Sequence, residues 1–474
     1  MLPWSCDTFV AMPDSVPGRH VLLAKNSDRP VSDTQPLRFL PRRTARAGAT
    51  LRLAHTEIED AEESYAHLGG SPYWCWGHEQ GLNEWGVAIG NEAMFTRDWA
   101  ASVSAVEGGA HRDGGILGME LLRLGLERGR TAREALDVMC SLVERHGQWG
   151  SGVVGQAPVT GGYDNSYLIA DAEEAWVLET SGHRFAAKQV TAGTYAISNQ
   201  PTIRTEWDRA SDDLVQHAVD SGWWESAPGR PFDFARAYVD PGTPLQLSHI
   251  RLQRSRQLLG EAVAAGGVGV GEAQRVLRDH YEDTFLGGPY FNAALPDFLS
   301  LCMHSHPSDF TWGNTAGSAV FVLPKSGEGL AHLWWAPVTP CTGVYLPVFV
   351  DAGRVPGIFS AAGTAGVREC PPEHAPVDTY DERSYWWRFR RLLDLVKGGE
   401  SAWNFTENQP VVRRAFDTLE QQWAAELPQV EKDALALRER GEHTAMADLL
   451  AGYTEACARQ ALAVLDRLVT RLSG

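Results

Sequence analysis

The chain opens on two apolar stretches separated by a turn. Cys6-Asp7-Thr8-Phe9-Val10-Ala11-Met12 is apolar and β-branched enough for a buried strand. Pro13 to Gly18 is rich in turn formers, and His20 to Ser27 returns as a second strand, which predicts a hairpin. Polar, arginine-rich sequence follows to about residue 48, then a strand near Thr50 to Glu57. Gly86 to Ala93 predicts a further strand whose ending in Gly90-Asn91-Glu92 suggests backbone open to a ligand. The period then changes. Leu117, Leu121, Leu122 and Leu124 recur at helical spacing within residues 115–128, and Thr131 with Glu134 forms a capping-box start for a second helix ending near His146. After a glycine-rich stretch, residues 165–170, 175–180, 184–190 and 193–198 read as short strands joined by tight turns, which predicts an antiparallel sheet.

Residues 231–285 read as mostly helical, and 318–323, 330–336 and 343–350 as strands again. A Gly, Ala and Pro-rich connection over 354–376 leads to a helical tail over 379–472, where Leu449, Leu450, Tyr453, Ala456, Cys457 and Val464 share one face. Strands and helices in blocks predict an α+β fold rather than a doubly wound parallel sheet.

Composition narrows the function classes. A net charge of −18 over 474 residues repels nucleic acid and anionic membranes, so neither is expected as a partner. The seven cysteines form no CxxC pair and are odd in number, against a disulfide scaffold or a zinc finger. No signal peptide and no membrane-length apolar run is read, so a soluble cytoplasmic protein is expected.

Cys6 admits two readings. It is a small core hydrophobe, the usual role of a free cysteine, or a nucleophile exposed as a new N-terminus once Met1 to Ser5 are removed. The predicted hairpin brings Lys25 and Asp28 beside it: a cation that favours the thiolate and a carboxylate that can hold an α-amine. Asn91 and Asn199, each at a strand end, are candidate oxyanion donors, though either residue alone is more often a turn former or cap. His304-Ser305-His306 invites a metal reading, but no third ligand is evident by motif and a structural or pocket-lining pair is the simpler one. Gly313 to Ser318 lacks the Lys-Ser/Thr of a phosphate loop, no G-x-S-x-G triad arrangement is found, and Glu431 to Glu442 reads as a solvated helix face.

In order along the chain, Cys6 to Ala11, Lys25-Asn26-Ser27-Asp28-Arg29-Pro30, Gly81-Leu82-Asn83-Glu84-Trp85-Gly86-Val87, Gly90-Asn91-Glu92-Ala93, Leu117 to Arg128, Asp164-Asn165-Ser166, Glu174 to Thr180 and Ile197-Ser198-Asn199-Gln200 resemble the secernins and the dipeptidases of cysteine peptidase family C69. The resemblance spans roughly residues 6 to 350. It implies an N-terminal nucleophile (Ntn) hydrolase, a four-layer αββα sandwich of two antiparallel sheets related to the cholylglycine and penicillin V acylases. It further implies a short propeptide over 1–5, a catalytic core over 6–353, and a linker with a helical region over 354–474. By resemblance Cys6 is the nucleophile and Asp28 orients its amine. Asn91 and Asn199 fall at the oxyanion and substrate-contact positions, and Arg251 matches a later active-site arginine, with Arg254 and Arg256 as alternatives. Lys25 stands where the acylases carry an Arg, and Asn165 lines the pocket or simply starts a strand. The implied activity is dipeptide hydrolysis through a thioester, without metal or cofactor. An amidase, acylase or acyltransferase on a small non-peptide amide, or a catalytically silent regulatory protein, are the alternatives. Asp164, His304 and Arg251 are candidates to hold a dipeptide's terminal charges, and a homo-oligomer is an open expectation.

Overall fold

The computed structural model describes residues 5–242, 246–287, 292–295, 298–306, 313–399 and 402–473. Two large antiparallel sheets form its centre. The first has six strands in the order Thr194–Ile197, Cys6–Ala11, Val21–Pro30, Gly313–Leu323, His332–Pro337 and Leu346–Phe349. The second has eight, in the order Arg209–Ala210, Arg184–Val190, Ala175–Ser181, Asp164–Ala170, Ala88–Met94, Gln80–Asn83, His67–Gly70 and Leu37–Leu40. The predicted hairpin is present, with Cys6 opposite Ser27 and Ala11 opposite Leu22.

Period-two alternation decides what lies between the sheets. In the first strand Thr8 meets Glu92 of the second sheet, whereas Asp7 meets Arg251 on the helix Gln246–Ala264. In the second strand Lys25 reaches across to the Asn91 carbonyl, while Asn26 Nδ2 donates outward to the Leu277 and Leu301 carbonyls at 2.7 Å each. Gly90 makes the close approach possible: a Cβ there would lie 2.9 Å from Lys25 Cδ. The outer face of the eight-stranded sheet, carrying Ile89, Tyr167, Ile169, Trp176 and Leu178, is covered by Gly118–Arg128 and Ala132–His146. Gln246–Ala264 and Val270–Leu277 cover the other sheet, so the expected four layers are present.

The second predicted helix starts where expected, with Thr131 accepting from the Glu134 N–H, but the Glu134 carboxylate turns to the Arg130 N–H. The single strand expected near Thr50 to Glu57 is instead a small hairpin of Thr50–Arg52 and Glu57–Glu59. The helix Arg97–Glu107, opened by Thr96 as its N-cap, buries only Trp99 and was not expected. The tail forms three helices, Tyr385–Lys397, Phe405–Glu439 and His443–Leu472. They pack on the Leu346–Phe349 edge: Thr454 donates to the Pro347 carbonyl at 3.0 Å, and Tyr345 N–H donates to Glu420 at 2.8 Å. Trp386 Nε1 donates to the Ala316 carbonyl at 2.7 Å, at the irregularity between Thr315 and Gly317 where the strand beside Asp28 shifts register. Among the described residues no helix is long and apolar enough to cross a membrane.

Candidate active site

Cys6 opens the first strand and is 6% exposed. Its Sγ accepts from the Asp28 N–H at 3.3 Å, its own N–H donates to Asn199 Oδ1 at 2.9 Å, and its carbonyl accepts from Arg251 Nη1 at 2.9 Å. Arg251 Nη2 also donates to Asn199 Oδ1 at 2.8 Å, and the guanidinium pairs with Asp7. Hairpin, strand end and helix therefore meet on one residue. Among the three arginines considered, Arg251 is the one at Cys6; Arg254 pairs with Asp279 at 2.5 Å and Arg256 is exposed.

The Asp28 carboxylate is held from two sides. Thr315 Oγ1 donates to Oδ1 at 2.7 Å, and Ser5 Oγ donates to Oδ2 at 2.5 Å. The residue immediately before the cysteine thus covers the carboxylate expected to orient its amine. Thr315 is itself fixed by the neighbouring segment, its Oγ1 accepting from Met303 N–H at 2.9 Å.

Lys25 is fully buried. It donates to the Asn91 carbonyl, and its Nζ lies 3.8 Å from Glu92 Oε2. Burial works against its charge, but Cys6, Glu92, Glu79 and Asp28 together outweigh that and raise its pKa. Burial pushes the Cys6 thiol well above its ordinary value; Lys25 opposes the rise, while Glu92, Glu79 and Asp28 add to it. Burial also raises Asp7 to about 7 against the pull of Arg251, and Glu92 to about 8 against the pull of Lys25. Unsolvated carboxylates of this kind favour the protonated form unless they are paired.

The remaining expectations fare differently. Asn199 is in contact with Cys6, and its Nδ2 donates to the Ala93 carbonyl at 2.8 Å. Asn91 contributes its carbonyl to Lys25, but alternation turns its side chain to the face that carries Ile89 and Tyr167. There its amide nitrogen, oriented by its neighbours, donates to the Glu79 carbonyl and carboxylate at 2.9 Å each, with the Asn165 amide 3.0 Å away. Glu92, not Asn91, is the side chain that this strand presents toward Cys6 and Thr8. Asn165 is fully buried and braces Asn91.

Asp164 accepts from Thr96 Oγ1 and the Gly182 N–H and so ties a helix start to a turn. His304 lies among His280, Cys302 and Cys341, a group separate from Cys6. With Arg251 engaged by Asp7, Asn199 and Cys6, each of the three groups considered for a dipeptide's termini has other partners. The site residues passed over in the sequence are Asp7, Glu79, Glu92 and Thr315. A charged residue inside a strand otherwise free of charge was the available signal for Asp7 and Glu92.

Residues 75–242 match Peptidase family C69, and this stretch marks the chain as a hydrolase. Among solved structures it is similar to conjugated bile acid hydrolase from Clostridium perfringens at 13% identity and TM-score 0.37, over 69% of this chain and 88% of that one. Penicillin V acylase from Agrobacterium tumefaciens aligns at 15% identity and TM-score 0.32, over 70% of this chain and 86% of that one. The Caenorhabditis elegans N-acylethanolamine-hydrolyzing acid amidase ortholog aligns at 12% identity and TM-score 0.32, over 68% of this chain and 96% of that one.

Proposed function

We propose that this chain is an amide-bond hydrolase of the Ntn type whose nucleophile is Cys6, active once Met1 to Ser5 have been removed, with dipeptides as substrates. The observation that carries the proposal is the convergence on one cysteine of Asn199 at its nitrogen, Asp28 at its sulfur and Arg251 at its carbonyl. Loss of Ser5 would free Asp28 Oδ2 for the new α-amine, which Asn199 Oδ1 already faces.

The neutral amine takes the thiol proton, directly or through water. The thiolate attacks the amide carbonyl to form a tetrahedral intermediate, and the ammonium protonates the departing amine as the C–N bond breaks. Water then hydrolyses the thioester, returning the thiol and releasing the acid. Lys25, held by the Asn91 carbonyl, supplies the positive charge that favours the thiolate. Asn199 Nδ2 is the proposed oxyanion donor, exchanging the Ala93 carbonyl for the substrate oxygen. Asn91 supports it by fixing Lys25 and Glu79.

A second reading, a small amide without charged termini, is favoured by the engagement of Asp164, His304 and Arg251 elsewhere. Comparing dipeptides with N-acyl amines, which carry neither terminal charge, as substrates separates the two. The test of the common mechanism is the intact mass of the purified protein. It should lack residues 1–5, and only the trimmed form should turn over an amide. A protein that hydrolyses amides with Met1 to Ser5 still attached would refute the mechanism.

A further inference from the structure

Away from Cys6, four buried side chains converge from three segments. They are His280, just beyond the helix Val270–Leu277, Cys302 and His304 before the strand Gly313–Leu323, and Cys341 in the turn after His332–Pro337. One ligand atom from each lies within 4.8 Å of all the others. His304 Nε2 is 3.2 Å from His280 Nε2, 3.3 Å from Cys341 Sγ and 3.9 Å from Cys302 Sγ.

We propose that His280, Cys302, His304 and Cys341 bind one structural zinc ion. A tetrahedron with Zn–N near 2.05 Å and Zn–S near 2.3 Å has edges of about 3.3 Å between two nitrogens and about 3.6 Å between nitrogen and sulfur. The separation of the two histidine nitrogens matches the first edge, and the two His304–Cys separations bracket the second. Two thiolates and two neutral imidazoles make a neutral site with a divalent ion and leave no position open, so the role is structural rather than catalytic. Binding displaces the two thiol protons to solvent. Cys302 and His304 flank Met303, and a ligand atom of each reaches the same point.

The surroundings are built for it. His280 Nδ1 lies 3.1 Å from Glu282 Oε1, which turns Nε2 toward the cluster, the usual outer partner of a metal-bound histidine. Cys302 N–H donates to the Asp279 carbonyl at 3.2 Å and so sets Cys302 beside His280. The Phe405 ring stands edge-on to both imidazoles, with centroids 6.3 and 5.0 Å away. Cys341 also lines a cavity of about 430 Å³ that it shares with Glu282 and Gln409. The site also bears on Cys6: Met303, between two of the ligands, donates to Thr315 Oγ1, which donates to Asp28.

The test is metal analysis of the full-length protein, expressed with zinc and purified without chelators. One zinc per chain is expected, as is a tetrahedral thiolate–cobalt absorption when Co²⁺ replaces it. Cys302→Ala and Cys341→Ala should each lose most of the metal, whereas Cys140→Ala and Cys6→Ala should keep it. Glu282→Gln should weaken zinc binding about 10-fold in competition with a chelator. A strong chelator should lower the Tm of the wild type. Less than about a tenth of an ion per chain with no cobalt spectrum, a Cys302–Cys341 disulfide in the non-reduced protein, or loss of the metal in Cys6→Ala would each overturn the proposal.

Discussion

The two ends of the first hairpin are equally buried and chemically opposite. At the turn end Val10, Ala11, Leu22, Leu23 and Ala24 are all sealed in the apolar core between and behind the sheets. At the open end the same two strands carry Cys6, Asp7, Lys25, Asn26, Ser27 and Asp28, none of them more than 6% exposed. The strand pairing is continuous from one end to the other. Backbone hydrogen bonding therefore cannot explain the difference; side-chain chemistry does. Apolar burial stabilises the turn end at roughly 25 cal/mol per Å². The polar end gains nothing from burial itself, because each charge there must be compensated by a partner drawn from elsewhere in the fold. A fold that keeps so many ionisable groups out of water at one point uses them for chemistry more often than for stability.

Breaking the contrast gives the largest effects. Cys6→Ala should abolish amide turnover, by at least about 10³-fold, while leaving the Tm near that of the wild type; steady-state kinetics and calorimetry together check it. The converse change, Leu23→Ala at the turn end, removes a side chain paired beside Val10 and Phe321. It should cost about 2–5 kcal/mol in denaturant unfolding, with kcat per folded molecule unchanged. Asn199→Ala sharpens the contrast on the polar side and should lower kcat about 10²-fold with a smaller change in stability.

The smallest effect concerns Glu92. Its carboxyl is raised by burial from 4.5 to about 8, so the folded state holds its proton more tightly than the unfolded state does. The stability it contributes is complete below pH 4.5 and is lost as pH climbs through about 8. Glu92→Gln should flatten the Tm-against-pH curve over that window. It also removes a negative charge that opposes the Cys6 thiolate, so the midpoint of Cys6 alkylation should move to lower pH, read by mass spectrometry.

Local pattern carried much of this. The first hairpin, the helix opened by Thr131 and the strands from Asp164 to Val190 follow from period and turn chemistry, which act over a few residues. The helix Arg97–Glu107 escaped because its apolar face is thin, with Trp99 its one buried residue. The small Thr50–Arg52 hairpin escaped because short polar strands carry little alternation. Within the site, Cys6 and Asp28 were legible because hairpin register alone brings them together, whereas Glu79 sits on a separate segment with no periodic link to Cys6. Cys302 stands two residues before His304, a spacing visible in the chain; Cys341 and His280 are tens of residues away and share no motif with it.

The sequence by itself determined the first hairpin, the helix opened by Thr131 and the strands from Asp164 to Val190, that the chain is acidic, and that Cys6 and Asp28 share a hairpin. These depend on side-chain period and nearest-neighbour chemistry, which a linear string records. Only the tertiary structure decided which arginine meets Cys6, that Glu92 rather than Asn91 presents its side chain between the sheets, and that two histidines and two cysteines share one point. Those outcomes depend on how the sheets stack and on which face a residue occupies once its strand is seated, and each is fixed by contacts across dozens to hundreds of residues.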